Sequence, residues 1–437
     1  MTPPGRRSMT NPDATTTTAW EPEKALYSDG AFRGVSVPVL APTGSAVQRV
    51  PDTPFVDPAT GTVPDAHIAT AAEVEAFRNL MRSARIPGPG GRYEDMARTA
   101  VADLYALMLP NGAVQGAGSP YWAFVWPRDT AFVVVALALL DLYDDAWRVL
   151  SYVYSMQEPD GQWEARYLPD GSGTVPDERG RQDDGIGYTL WATWVLTELS
   201  PSHLQLTQPA GIRAQISNAI TAAGEVLDDD SGLPRTSQDF WEMDQQEPSL
   251  GVAGPLLLGL RAGAALADRL DEPEVARQAR TDATRLRSAI TREYGANGYQ
   301  HFPSGGGRDA SVVFLLSPFL ADDLPGARQA WDASRTEMQV SNGGLRPGAQ
   351  WPDPETAWGP QISLYSIVAA ALGEDQIARG YLDWLDAHRT RLGSLPEKVT
   401  ASGQPAAVAP ISTVASAVLI ALCLLEGYQL PVPPGSP

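Results

Sequence analysis

The sequence predicts an all-α protein built as an (α/α)6 barrel of twelve helices, preceded by an N-terminal irregular or β arm. Three observations lead there. Apolar residues recur at i, i+3 and i+4 over most of residues 66–428, the spacing of one helical face. The links between these stretches alternate between short and long, as in a ring of antiparallel helix pairs. No self-similarity at a fixed period supports a helical-repeat solenoid, which would show a similar alternation.

Taken in order, residues 1–20 read as a flexible tail, and residues 21–65, rich in Pro, Val, Thr and Gly, as an arm of short strands or irregular chain. A lead-in helix over 66–86 opens a barrel domain spanning 66–430. The twelve barrel stretches lie near 92–109, 128–142, 144–157, 184–199, 208–227, 249–268, 272–293, 309–320, 325–338, 360–373, 375–389 and 409–428. Only Tyr143, or Gly373 and Glu374, separate some neighbours. The other links are long: 110–127, 158–183, 228–248, 294–308, 339–359 and 390–408. All of these lead into alternate helices, so they gather at one end of the ring. They are rich in Trp, Asp, Arg, Gly and Pro, and helix N-termini add unpaired N–H groups there, which marks that end as the functional face.

Composition narrows the function. A chain of 437 residues, 43% hydrophobic and 19% charged, can build one large core. Its formal charge of −20, from 52 acidic and 32 basic residues, repels nucleic acid and anionic lipid and suits a neutral partner such as a sugar. Lys24 and Lys398 are the only lysines, so no Lys-rich tract reads as a targeting segment. Residues 1–20 lack an apolar signal-peptide core, and no run reaches the roughly 18 uninterrupted apolar residues of a membrane span. The expectation is a soluble, cytoplasmic protein without a membrane partner. Cys423, alone in an apolar run, reads as a buried small hydrophobe. His67, His203, His301 and His388 lack ligand spacing, so neither a metal nor another cofactor is expected.

The long loops carry the chemistry. The first ends in Tyr121-Trp122-Ala123-Phe124-Val125-Trp126-Pro127-Arg128-Asp129, then an apolar helix. Aromatics beside an Arg-Asp pair offer a stacking wall and a charged fork for vicinal sugar hydroxyls. Asp129 near the positive end of a helix dipole is the alternative. The second loop holds Asp160-Gly161-Gln162-Trp163 and Gln182-Asp183-Asp184-Gly185; without a carboxylate one turn on, the acidic pair suits capping or sugar binding rather than a diphosphate-bound cation. The third holds Asp239-Phe240-Trp241-Glu242 and the sixth Leu395-Pro396-Glu397-Lys398. A carboxyl beside Trp241 would keep its proton to higher pH, as a general acid needs, while Glu397 would stay ionised. Gly305-Gly306-Gly307-Arg308 lacks the lysine and hydroxyl of a phosphate loop and reads as a turn.

Together these motifs resemble glycoside hydrolase family 15, the glucoamylase family, over roughly residues 92–428. Trp126-Pro127-Arg128-Asp129 is similar to the family's Trp-x-Arg-Asp, whose Arg-Asp holds the terminal glucose. Asp239-Phe240-Trp241-Glu242 resembles Asp-Leu-Trp-Glu, which carries the general acid, and Leu395-Pro396-Glu397 resembles the bacterial Leu-Pro-Glu with the general base. Arg346 and Trp358 match a pocket arginine and tryptophan in spacing, and Gln182, Asp184, Gly185 and Trp163 match further pocket residues. The chain departs from the family at Met243, where a second glutamate often stands. It departs again at Pro410-Ile411-Ser412-Thr413-Val414, which lacks an active-site tryptophan. Many bacterial members carry a large β-sandwich domain before the barrel, where here residues 1–65 precede the lead-in helix, so the resemblance points to compact members such as isomaltose glucohydrolases.

The resemblance implies an inverting, exo-acting α-glucosidase without a cofactor, with Glu242 as acid and Glu397 as base, taking an α-glucoside oligosaccharide. The same machinery could serve trehalose or dextran, or a silent sugar-binding barrel. A terpene cyclase would require carboxylate clusters that are missing.

Overall fold

A computed structural model describes residues 25–119, 121–200 and 210–435, so the expected tail and His203 lie outside the described residues. The arm begins with an antiparallel hairpin of β1 (Ser28–Phe32) and β2 (Val39–Pro42). The helices follow as α1 (Ala71–Ser83), α2 (Glu94–Leu107), α3 (Pro127–Leu139), α4 (Tyr143–Ser155), α5 (Asp184–Leu199), α6 (Ala210–Glu225), α7 (Leu250–Arg269) and α8 (Pro273–Glu293). A 3-10 segment, Ala310–Leu315, precedes α9 (Ala327–Glu337), α10 (Gly359–Ala371), α11 (Asp375–Ala387) and α12 (Ser412–Leu425). Among the loops, β3 (Ala357–Trp358), β4 (Lys398–Val399) and β5 (Pro405–Ala406) form a small antiparallel sheet.

The ring is closed. Its inner wall runs α3, α5, α7, the 3-10 segment, α10 and α12, and α12 packs back on α3, which rules out a solenoid. Each member rests on an outer partner: α4, α6, α8, α9, α11 and α2, respectively. The inner helices are apolar on nearly every face, as an element surrounded by others must be. Outer helices such as α11 bury one stripe, Ala378, Leu382 and Leu385, whereas α2, overlaid by the arm, is buried along most of its length. Among the described residues α7 alone is long and apolar enough to cross a membrane, yet 94% of that stretch is buried inside the barrel.

The expectation of twelve barrel helices needs one correction. The stretch 309–320 is only the 3-10 segment, capped where Asp309 accepts from the Ser311 amide at 2.9 Å. Pro318 follows closely, and a residue without an N–H does not extend a helix. The lead-in helix also starts later than expected, because Thr70 and Glu73 form a reciprocal capping box that fixes its first turn.

Each long link enters an inner element at its N-terminus, as the alternation predicts. The arm braces one of these links, the loop 388–411. Tyr27 N–H donates to the Ala407 carbonyl at 2.8 Å and Ala407 N–H to Ala25 at 3.0 Å. The Ser28 hydroxyl reaches the Ala409 carbonyl at 2.7 Å, and Asp29 pairs with Arg391 at 3.1 Å. The arm is itself tied to α2 by the Arg49–Asp103 ion pair, whose side chains are only 9% and 0% exposed.

The tightest helix crossing joins α5 to α7. A Cβ on Gly187 would lie 2.1 Å from the Pro255 carbonyl oxygen, and one on Gly259 would lie 2.4 Å from the Gly187 Cα. Only hydrogen fits at either position. Gly259→Ala is therefore expected to lower unfolding stability by about 1–3 kcal/mol, the usual cost of overpacking. Gly380→Ala, on α11 where an added Cβ meets nothing within 4 Å, should instead be neutral or stabilising by up to ~1 kcal/mol. Denaturant titration of both variants checks this, and a neutral Gly259→Ala would contradict it.

Candidate active site

The link between α2 and α3 supplies two indole donors four residues apart. Trp122 Nε1 donates to Glu397 Oε1 at 3.3 Å, and Trp126 Nε1 donates to Glu242 Oε1 at 2.8 Å. One loop thus touches both glutamates and brings them to one face of the barrel, as expected. Backbone bonds from Gly116 to Phe124 at 2.9 Å and from Ala117 to Trp122 at 3.0 Å fold that loop. Gly116 is required there, since a Cβ would sit 2.9 Å from the Trp126 ring.

Glu242 stands on a tight turn. Asp239, fully buried, accepts the Trp241 amide on its side chain and the Glu242 amide on its carbonyl, both at 2.9 Å. Glu242 takes a left-handed φ of 52°, a conformation that costs a non-glycine residue energy and that its neighbours must enforce. His301 does much of that. Its ring stacks on Trp241 at 4.1 Å and 15°, its Nδ1 bonds Asp309 at 2.5 Å, and its Nε2 faces Asp239 at 3.6 Å. Burial lowers the proton affinity of His301, but Asp309 and Asp239 outweigh it and hold the ring above its ordinary value.

Arg128, in the first turn of α3, gathers three loops. Its Nη1 donates to Gln182 at 2.7 Å and to Asp184 at 3.2 Å, its Nη2 to Glu242 Oε1 at 3.4 Å, and its Nε lies 3.6 Å from Asp129. Burial opposes its charge, yet Asp184, Asp129 and Glu242 together raise the guanidinium above its usual value. Asp184 is fully buried, and desolvation pushes its carboxyl up to about 7 in spite of Arg128. Asp129 lies in the first turn of α3, near the positive end of its dipole, without capping it; it accepts from the Thr413 hydroxyl, and burial raises its carboxyl against the pull of Arg128.

Glu397 is 7% exposed. Its carbonyl accepts the Gly359 amide at 2.7 Å, and a Cβ on Gly359 would lie 2.6 Å from the neighbouring Pro396 carbonyl oxygen. Lys398, paired with Trp358 across the small sheet, places its ammonium 3.9 Å from Glu397 Oε2 and 4.3 Å above the Trp358 ring. Trp358 meets Trp351 edge-on at 5.3 Å, and Trp351 meets Trp241 at 5.2 Å. An arc of indoles therefore links the Glu397 loop to the Glu242 turn.

Several sequence expectations need correction. Trp241 does not raise the proton affinity of Glu242: burial does push it up, but Arg179, Arg128 and Arg166, with the Gln182 amide, pull it below the ordinary glutamate range. Trp163 is 1% exposed and its indole donates to the Val153 carbonyl at 2.8 Å, so it belongs to the core and not to a pocket wall. Arg346 donates to the Glu337 carbonyl at 3.1 Å, at the end of α9, and the structure does not join it to the Arg128 cluster. Sequence reasoning missed Arg179, which bonds Glu242 Oε2, gave no role to Trp351, Thr413 or His301, and read Trp122 only as one aromatic of a stacking wall. Trp122 lay within the aromatic motif, and its indole was the available signal; Arg179 sits among other arginines of a long loop and gave none.

No family model matches the chain. An uncharacterized glycosyl hydrolase of Methanocaldococcus jannaschii is 28% identical over 134 residues, which is 30% of this chain and 20% of that protein. The chain thus matches about a fifth of the relative's length. Among solved structures, a glycosidase superposes with a TM-score of 0.64 at 20% identity, covering 76% of this chain and 96% of its own. Glucoamylase from Saccharomycopsis fibuligera gives 0.63 at 14% identity over 74% and 90% of the two chains. The fold is that of the glucoamylases. A bacterial glucoamylase solved with acarbose agrees, at 0.65 and 15% identity over 82% of this chain and 59% of that one. At such identities the likeness concerns the glucoamylase fold alone.

The His301 cluster yields a test. A histidine raised on folding contributes stability that is fully present below the unfolded value, about 6.5, and is lost as pH rises through the folded value. Removing it there leaves two buried aspartates without the cation between them. His301→Asn is expected to cost about 3–5 kcal/mol below pH ~6.5, with the gap to wild type narrowing at higher pH. Denaturant titrations across the pH range check the sign, and a gap independent of pH would contradict a protonated ring.

Proposed function

We propose that this chain is a glycoside hydrolase, an inverting exo-acting α-glucosidase that releases β-D-glucose from the non-reducing ends of short α-linked glucans. The observation that supports the reading is the pair of indole bonds from one loop, Trp126 to Glu242 and Trp122 to Glu397, which holds two carboxyls at the same end of the barrel. In such a site Glu242 protonates the glycosidic oxygen, and Glu397 removes a proton from a water that attacks the opposite face of the sugar. An axial bond is then replaced by an equatorial hydroxyl. The geometry requires carboxyls roughly 6.5–9.5 Å apart, whereas about 5–5.5 Å would favour a retaining double displacement.

Asp129 and Arg128, with Gln182 beside them, provide acceptors and donors for the hydroxyls of the terminal glucose. Trp126, Trp241 and Trp358 give the apolar walls that a sugar ring packs against. A glutamate-to-alanine variant of a solved glycosidase of this fold is in complex with glucose, which supports placing glucose here. The reading needs no cofactor. Met243, apolar beside the acid, removes one hydrogen-bonding group on the leaving-group side and favours a linkage such as α-1,6.

Glu242→Gln and Glu397→Gln are each expected to lower glucose release by about 10²–10⁴-fold, and Asp129→Asn to lower it by a few kcal/mol of transition-state binding. Proton NMR of the first turnovers of the wild type should show the β-anomer before mutarotation, and early α-glucose would refute inversion. Initial rates on isomaltose and panose should at least equal those on maltose and exceed those on soluble starch; a preference for starch would defeat the linkage argument alone.

A further inference from the structure

We propose that Arg179 is a displaceable plug on the acid: it occupies Glu242 Oε2 until the leaving-group sugar takes its place, so that substrate entry and protonation of Glu242 are coupled. This rests on Glu242 being the general acid. The two oxygens of that carboxyl are not equivalent. Oε1 receives Trp126 at 2.8 Å, Gln182 at 3.3 Å and Arg128 at 3.4 Å. Each of these groups is a donor, so a proton on Oε1 would have nowhere to point. The acid proton therefore belongs on Oε2. That oxygen is bonded to Arg179 Nη1. A guanidinium only donates, and its charge beside Oε2 disfavours a proton there, so Arg179 in this place holds Glu242 ionised. The glycosidic oxygen must also reach Oε2, and Arg179 has to leave before it can.

Arg179 has a second partner to receive it. Asp177 accepts from its Nε at 3.3 and 3.2 Å and from its Nη2 at 3.2 Å, and is itself held by Arg166. The surrounding loop, 156–183, carries neither helix nor strand, and at Gly173 and Gly180 an added Cβ would meet nothing within 4 Å. Arg179 also lines a cleft of about 490 Å³ together with Arg181, Arg235, Gln238 and Gln245, a wall of guanidiniums and amides suited to sugar hydroxyls. The ion pair keeps some exposure, with side chains 22% and 25% exposed, so solvent and a sugar hydroxyl can reach it.

The proton balance closes. When Arg179 retires to Asp177, Glu242 takes one proton from solvent. It passes that proton to the glycosidic oxygen as the C1–O bond breaks, while the water oxygen bonds to C1 and its proton goes to Glu397. Glu397 then returns one proton to solvent, and the ionised Glu242 receives Arg179 again. The other charged groups facing Glu242 are Arg128 and Asp129 from α3, Asp184 from α5, whose carboxyl burial raises to about 7, Arg166 from the same loop as Arg179, and Asp239 in its own turn; all are common to the wild type and the Arg179 variants, so a difference between them reports Arg179.

The test is the pH dependence of kcat/KM, which reports the free enzyme, against that of kcat, which reports the complex. On isomaltose and maltose the basic limb of wild-type kcat/KM should fall at lower pH than that of kcat. Arg179→Gln should move the kcat/KM limb upward by about one unit or more toward the kcat limb, as expected when a close opposite charge is removed. Arg179→Lys, which keeps the charge, should restore it toward wild type. A limb that stays in place in Arg179→Gln, whatever the change in rate, overturns the plug. Glu242→Gln in both backgrounds separates the two ideas, since activity surviving it would sink the acid assignment itself.

Discussion

The guanidinium of Arg128 is the charge around which the site is organised. Asp129, Asp184 and Glu242 approach it from three segments of chain, and a buried cation is tolerable only with such company. In return it fixes the second loop through Gln182 and the third through Glu242. Its own position follows from Pro127, which opens α3 and pre-sets the first turn. Most of its donors are spent inside the protein, so Asp129, held by Thr413, is the better placed partner for a sugar hydroxyl.

The other half of the site is braced from outside the barrel. The arm grips both ends of the loop that carries Glu397, through Asp29 and Arg391 on one side and Tyr27 and Ser28 on the other. The small sheet then carries Trp358 and Lys398 to the carboxylate. A segment that looks like an irregular preface in sequence is thus part of how Glu397 is positioned.

The ring and its functional end were legible because they rest on short-range rules: apolar stripes with helical period, and links whose lengths alternate. The 3-10 segment at Ala310–Leu315 was not, since its residues are as apolar as those of a helix and only Pro318 hints at the break. Glu242, Glu397, Trp126, Arg128, Asp129, Gln182 and Asp184 could be named because motifs order them along the chain. Which oxygen each donor meets could not be read there. Trp241 shows why: beside an acid in sequence, it turns its ring onto His301, and arginines from other loops set the charge of Glu242. Trp163 failed for the complementary reason, because a tryptophan in a loop motif reads alike whether it lines a pocket or fills the core.

The central claim is the division of labour between Glu242, reached by Trp126, and Glu397, reached by Trp122. α-Glucosyl fluoride tests it most directly, because fluoride departs with little help from an acid whereas the attacking water still needs a base. Turnover of this substrate should be largely retained in Glu242→Gln, even as isomaltose hydrolysis is lost, and should be lost in Glu397→Gln. Equal loss in both variants, or retention in Glu397→Gln alone, would contradict the assignment.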